Sequence, residues 1–158
     1  MTPRRIWLVV VAAAYLAGAL IVGLWPTPVD AGFRTQIAQA LGLLHRDGVP
    51  TGFGYAALEF SANILFFVPL GALICLLLPR RLSLLAIPIG SLLSGAIELS
   101  QLLLLPARFA SWFDVIANTL GTVIGVAIVV IIAAIGRAVR GARGRQLSSA
   151  SPATSATQ

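Results

Sequence analysis

Apolar positions along the chain fall into four long blocks, at residues 6–25, 60–78, 82 to about 105, and 115–135. A hydrocarbon core of ~30 Å takes roughly 20 helical residues, so each block is long enough to cross a bilayer once. The first block has no charge. The second is interrupted only by Ser61, Asn63 and Pro69, the third contains Glu98 and Gln101, and the fourth carries Asn118 near its start. Pro69 and Pro88 fall mid-block, where each removes a backbone hydrogen bond and predicts a kink. Between the first two blocks, Phe33, Ile37, Leu41 and Leu44 recur at helical spacing, with Arg34, Gln36 and Gln39 elsewhere on the wheel. That spacing predicts a short helix lying on the membrane surface, capped by Asp30 and ended by Gly48, Pro50, Gly52 and Gly54. The pattern as a whole predicts an all-α integral membrane protein: four transmembrane helices in one small bundle, with an interfacial helix in the first outer loop. It contains no internal repeat and leaves no room for a second domain.

Composition strengthens the membrane assignment. Hydrophobic residues make up 58% of the 158 and charged residues only 10%, with a mean hydropathy of +0.96. A soluble domain carries roughly 25% charged residues. The net charge of +6 does not indicate nucleic acid, because the basic residues, all arginine, sit at the ends of apolar runs and form no face. Their distribution predicts orientation instead. Arg4, Arg5, Arg80, Arg81, Arg137, Arg140, Arg143 and Arg145 fall on one side, and only Arg34, Arg46 and Arg108 on the other. The positive-inside rule then places both termini in the cytoplasm and the loops at residues 26–59 and 106–114 outside. A cleaved signal ending at Val29-Asp30-Ala31 is the alternative for the first block. Its apolar stretch exceeds the roughly 7–15 residues of a signal core, which favours an uncleaved span. The predicted organisation is a cytoplasmic N-terminus at 1–5, a membrane domain at 6–136, and a tail at 137–158 that is basic and then, from Gln146, low in complexity and disordered. The tail arginines either hold anionic lipid head groups or merely set topology.

The strongly polar residues share one depth. Glu59 and Asn63 lie four apart at the outer end of the second span. Glu98 and Gln101 lie three apart near the outer end of the third. Arg108 is in the outer turn, and Asp114 and Asn118 open the fourth span. Glu98 is the deepest, about seven residues or ~10 Å from the end of its span. An ionised carboxylate is costly in lipid, so Glu98 is expected to face the bundle interior, a partner or water. Arg108 offers a fork of donors that would hold Glu98 and Asp114 together. A protonated Glu98 bonded to Asn118 or Asn63 is the neutral alternative. Gly121 and Gly125 form a GxxxG pair that continues the Asn118 side, and Gly90/Ser94 and Ser91/Gly95 are small-xxx-small pairs, spacings that bring helix backbones close in lipid. Trp25, Phe53, Tyr55, Phe109, Trp112 and Phe113 gather at the same boundary and read as an aromatic belt. Cys75 reads as a small buried hydrophobe and His45 as an exposed loop residue. The one carboxylate set, Glu59, Glu98 and Asp114, would have to exclude Arg108 to bind a metal, so neither a metal nor another cofactor is expected.

With these residues in view, the chain resembles the VanZ-like family of bacterial membrane proteins. Asn63-Ile-Leu-Phe-Phe-Val-Pro69-Leu-Gly71 is similar to that family's N-(I/L)-L-x-F-x-P-L-G block. Glu98-x-x-Gln101, Arg108, then Asp114-x-x-x-Asn118-x-x-Gly121-x-x-x-Gly125 follows its second signature in order and spacing. Pro26-Thr-Pro28 after the first span is also typical, and the resemblance covers about residues 6–136. It implies a multi-pass protein of the bacterial cell membrane with a shared polar site. The family takes its name from a protein associated with low-level resistance to the glycopeptide teicoplanin, and no settled reaction, ligand or cofactor goes with it.

Four functions compete for the polar set. Amide and carboxylate side chains can simply bond helices together, worth roughly 0.6–2 kcal/mol a pair, although amides do this more cheaply than acids. A binding module would hold a polar head group outside and run its lipid or acyl chain between helices. A lipid-linked envelope precursor or a lipoglycopeptide fits that geometry, with membrane lipids as the standing partners. An enzyme acting on such a substrate would use the two acids and the arginine, but it would lack a nearby histidine or nucleophilic cysteine. A small proton-coupled transporter would need a polar path to both sides, and here the path stops in the outer half. Oligomeric state does not follow from the pattern.

Overall fold

A computed structural model describes residues 2–28, 30–106 and 111–149, with side chains as far as 143. Five α-helices follow in order: α1 (Pro3–Gly23), α2 (Arg34–Arg46), α3 (Tyr55–Leu77), α4 (Ala86–Leu104) and α5 (Trp112–Ser149). Short 3-10 turns precede α2 (Ala31–Phe33) and α4 (Arg80–Leu85). No strand occurs among the described residues. Four helical stretches, Pro3–Gly23, Tyr55–Leu77, Arg80–Leu104 and Trp112–Arg143, are long and apolar enough to cross a membrane.

Prolines set the ends of the spans. Pro3 opens α1, where its missing N–H costs nothing. Pro26, Pro79 and Pro106 follow the ends of α1, α3 and α4. Leu78, just before Pro79, is extended (φ −78°, ψ 149°), because a following proline disfavours the helical region. The two internal prolines behave differently. Pro69 sits inside an unbroken α3. Pro88 is not mid-helix: the 3-10 turn gives way to α4 at Ala86, which puts Pro88 in the first turn of α4, where the N–H that proline lacks would have no i−4 partner within the helix.

The helices pack through small residues. A side chain added at Gly121 would meet the Ile64 carbonyl oxygen at 2.2 Å, and one at Gly125 the Val68 carbonyl oxygen at 2.1 Å. One at Gly71 would meet the Thr122 carbonyl oxygen at 2.5 Å. These pairs advance along both chains in the same direction, so α3 and α5 run parallel with their backbones in close contact. This is the most extensive packing in the protein. α4 returns antiparallel between them in sequence and packs mainly on α5, and α1 lies against α3. Phe67, Leu70 and Ile97 form one buried cluster, with Tyr15 and Leu20 against it. Cys75, Ala86 and Val126 form a second, nearer the arginine-bearing end. Large apolar side chains such as Leu65, Leu92, Leu103 and Ile132 point outward, as a lipid-facing surface requires.

The loop helix α2 has no buried residue. Its expected cap is absent: Asp30 makes no capping bond and instead accepts a hydrogen bond from the Tyr55 hydroxyl at the start of α3. His45 is half-buried rather than exposed. Its Nε2–H donates to the Phe53 carbonyl at 3.0 Å and closes the loop behind α2. At the other end of the chain, α5 continues through the expected tail residues 146–149. It spans 38 residues, ~57 Å at helical rise, well beyond a ~30 Å hydrocarbon core. The rest of the tail, 150–158, lies outside the described residues.

Candidate functional site

Three levels of contact run along the antiparallel α4–α5 seam. At the deepest, Thr122 fills the space left by Gly90, where an added side chain would lie 2.5 Å from Thr122 Oγ1. Thr122 is wholly buried, and its hydroxyl donates to the Asn118 carbonyl at 2.9 Å. One turn nearer the polar end, Asn118 Nδ2 donates to Ser94 Oγ at 2.9 Å, again between buried side chains. Four more residues along each helix bring Glu98 level with Asp114. Beside this ladder Thr119 donates to Ser91 at 3.1 Å. The seam is therefore polar while the outside of the bundle is apolar, the inverse of a soluble core.

At the top of the seam Ser111 caps α5. Its Oγ accepts from the Phe113 amide at 3.2 Å. Its own amide donates to Glu98 Oε2 at 2.9 Å. The buried Glu98 carboxylate, reaching over from α4, thus takes one of the donors at the positive end of the α5 dipole. Asp114, in the first turn of α5, accepts from Asn63 Nδ2 at 2.9 Å, which ties α3 to α5. Gln101, also buried, donates to the Gly23 carbonyl at 2.8 Å and ties α4 to the end of α1. Below it Ile97 leaves no room at Gly23 for a side chain, which would sit 2.9 Å from Ile97 Cγ2. Tyr15 adds a further tie, donating to the Phe66 carbonyl at 2.7 Å.

The structure thus brings Asn63, Glu98, Gln101, Asp114 and Asn118 to one end of the bundle and distributes them over three helix junctions. Glu98, Gln101 and Asn118 are buried, Asn63 and Asp114 half-buried, and Glu59, one turn before Asn63, is exposed. Arg108 and Phe109 lie outside the described residues. Gly121 and Gly125 do not continue the Asn118 face: they press on α3, while Asn118 and Thr122 face α4. Of the two small-residue pairs on α4, Gly90, Ser94 and Ser91 meet α5, but Gly95 has nothing within 4 Å of an added side chain. Trp25, Trp112 and Phe113 are exposed at this end, where an aromatic belt would place them.

Thr122 and Ser111 carry parts of this site that spacing alone does not single out. For Ser111 a signal is present: Ser111-Trp-Phe-Asp114 has the serine and acid spacing of a helix start. For Thr122 there is none, since a lone threonine in an apolar helix is uninformative. Asn118 Oδ1 is a buried oxygen that no donor reaches among the described residues. Among the described residues no three of His, Cys, Asp and Glu gather as a metal site. Neither of two clefts in the protein, of about 380 and 580 Å³, is lined by Glu98, Gln101, Asp114 or Asn118.

A family model described as VanZ/LLP1 matches residues 11–133, which includes part or all of every span and the whole polar set. No curated protein and no solved structure matches the chain.

Proposed function

The chain belongs to the VanZ/LLP1 family, and from that premise we propose that its polar end binds the head group of a lipid-linked envelope component. The basic end lies in the cytoplasm and the polar end faces outward from the bacterial cell membrane. The observation that carries this is Asn118 Oδ1, an acceptor buried between α4 and α5 without a hydrogen-bond partner, one turn below the buried carboxylate of Glu98. A side chain that only joined helices would be satisfied on both sides, because an unpaired buried polar atom costs ~1–3 kcal/mol. That Asn118 oxygen suits a ligand that presents donors: sugar hydroxyls, amide N–H groups or an ammonium. Precursors built on a lipid carrier and lipoglycopeptides have both such head groups and an apolar tail. The tail would lie along outward apolar side chains such as Leu102 and Leu103.

Binding of this kind changes the access of teicoplanin to its target, which is how it would lower susceptibility. Transport fits less well. Below Thr122 the seam is closed by Cys75, Ala86 and Val126, so the polar ladder does not continue to the basic end.

The test uses Glu98→Gln, Asp114→Asn and Asn118→Leu in full-length protein at matched expression. Teicoplanin susceptibility and retention of lipid-carrier precursors by the purified protein are the readouts. Each variant is expected to lose retention and to return susceptibility to that of cells lacking the protein. Wild-type behaviour in all three would leave the cluster a structural clamp and end the proposal.

A further inference from the structure

We infer that the basic end of the bundle is a binding site for an anionic phospholipid, its phosphate held by Arg4, Arg80 and Arg137 and one acyl chain lying along Leu76 and Ile132. This site is at the opposite end from the polar cluster and does not depend on what that cluster binds.

Three arginines from separate parts of the chain converge there. Arg4 is in the first turn of α1, Arg80 opens the 3-10 turn before α4, and Arg137 is on the extension of α5. All three line one cleft of about 580 Å³, a size within the ~300–1,000 Å³ of small-molecule sites. The rest of the lining is mainly apolar, including Cys75 at its buried floor and Leu76 and Ile132 at its mouth. Among the described residues no acidic side chain stands at this end. The five acidic residues of the sequence are Asp30, Asp47, Glu59, Glu98 and Asp114, and all belong to the other half of the molecule or to the loop that carries α2. An anion from outside would therefore meet no acidic side chain among the described residues here. Guanidinium forks match phosphate oxygens two at a time, so three of them around one opening favour a phosphate over a carboxylate or a halide. A free phosphate would leave the apolar walls unused. A phospholipid uses both parts, because the cleft lies where a spanning helix meets the head-group layer.

Arg5, Arg81 and Arg140 supply the control. They neighbour the three in sequence, carry the same charge and do not line the cleft. A diffuse basic surface that only sets topology would use both sets alike.

The experiment is native mass spectrometry of the full-length protein in neutral detergent, titrated with phosphatidylglycerol and with phosphatidylcholine of identical acyl chains. The wild type is expected to retain phosphatidylglycerol with a preference of about tenfold or more. The triple variant Arg4→Gln/Arg80→Gln/Arg137→Gln is expected to lose that preference, while Arg5→Gln/Arg81→Gln/Arg140→Gln keeps it. Leu76→Trp, which narrows the cleft with every arginine in place, is expected to weaken retention of the lipid. Equal loss in the two triple variants, or no preference in the wild type, overturns the site. Full displacement of the lipid by millimolar inorganic phosphate overturns the lipid assignment, because the arginines would then be reading a soluble anion.

Discussion

Asn118 donates to Ser94 at 2.9 Å in the middle of the α4–α5 seam, and the same amide leaves its oxygen without a partner. The two halves of one side chain therefore have opposite effects on stability. Removing only the serine hydroxyl, with Ser94→Ala, orphans Nδ2 as well and should cost ~1–2 kcal/mol. Asn118→Leu removes the orphaned oxygen but also the donor to the buried Ser94 hydroxyl, so alone it should cost ~1–2 kcal/mol, and only together with Ser94→Ala, which removes both partners, should the change be nearly neutral. Unfolding of the two single variants and the double variant in a detergent titration checks this, and a large loss in the double variant would mean that Oδ1 is satisfied in the membrane by a structural partner.

Close backbone contact predicts a second pattern. Alanine at Gly71, Gly121 or Gly125 would place a carbon 2.5 Å or less from a carbonyl oxygen of the facing helix. Backbone cannot give way as a side-chain tip does, so α3 and α5 must separate, at a cost of ~1–3 kcal/mol for each substitution. Gly95→Ala meets open space and replaces a weak helix former, so it should be neutral or gain up to ~1 kcal/mol. Thermal unfolding of the four variants should therefore split three against one.

How much of this is legible in the sequence depends on what each residue reports. The four spans are legible because apolar runs of this length, in a chain with so few charges, suit a bilayer-crossing helix and little else. The gathering of Glu98, Gln101, Asp114 and Asn118 at one end is legible because three- and four-residue spacing fixes a face and a depth. Spacing does not say which neighbour that face meets. Gly121 and Asn118 are three apart, yet one presses on α3 and the other on α4. That α5 packs most closely on α3 is likewise not legible: alternating spans make the two parallel and Gly121/Gly125 announce a close contact, but nothing in the spacing names its partner. Asp30 has the position of a cap, but the Tyr55 hydroxyl, distant in sequence, takes its carboxylate instead. Pro88 has the position of a kink only if the helix begins well before it. The start at Ala86 depends on the preceding 3-10 turn, which no residue type announces.

The contact between Tyr55 and Asp30 makes a prediction about the loop. Tyr55→Phe keeps the ring and removes the hydroxyl, freeing the segment before α2 from the start of α3. An exposed bond of this kind is worth about 0–1 kcal/mol, so global stability should change little. Local opening should change more: amide exchange across Ala31–Phe33 and the first turn of α2 is expected to speed up several-fold. Exchange unchanged there would show that α2 is held by the bilayer and by the His45–Phe53 bond alone.

Glu98 is where a structural role and the proposed binding role separate most cleanly, because the two would need different features of its side chain. As a cap it supplies one oxygen to the Ser111 amide. Glutamine retains such an oxygen, so Glu98→Gln should hold the start of α5 in place and keep unfolding within about 0.5 kcal/mol of wild type. Leucine retains none. Glu98→Leu leaves the Ser111 donor unpaired at ~1–3 kcal/mol and should raise amide exchange through the first turn of α5, at Phe113 to Val115. A function that depends on the negative charge is lost in both variants. One that depends only on a well-formed helix junction survives in glutamine and fails in leucine. Measuring teicoplanin susceptibility and exchange on the same pair therefore assigns Glu98 to the ligand or to the fold.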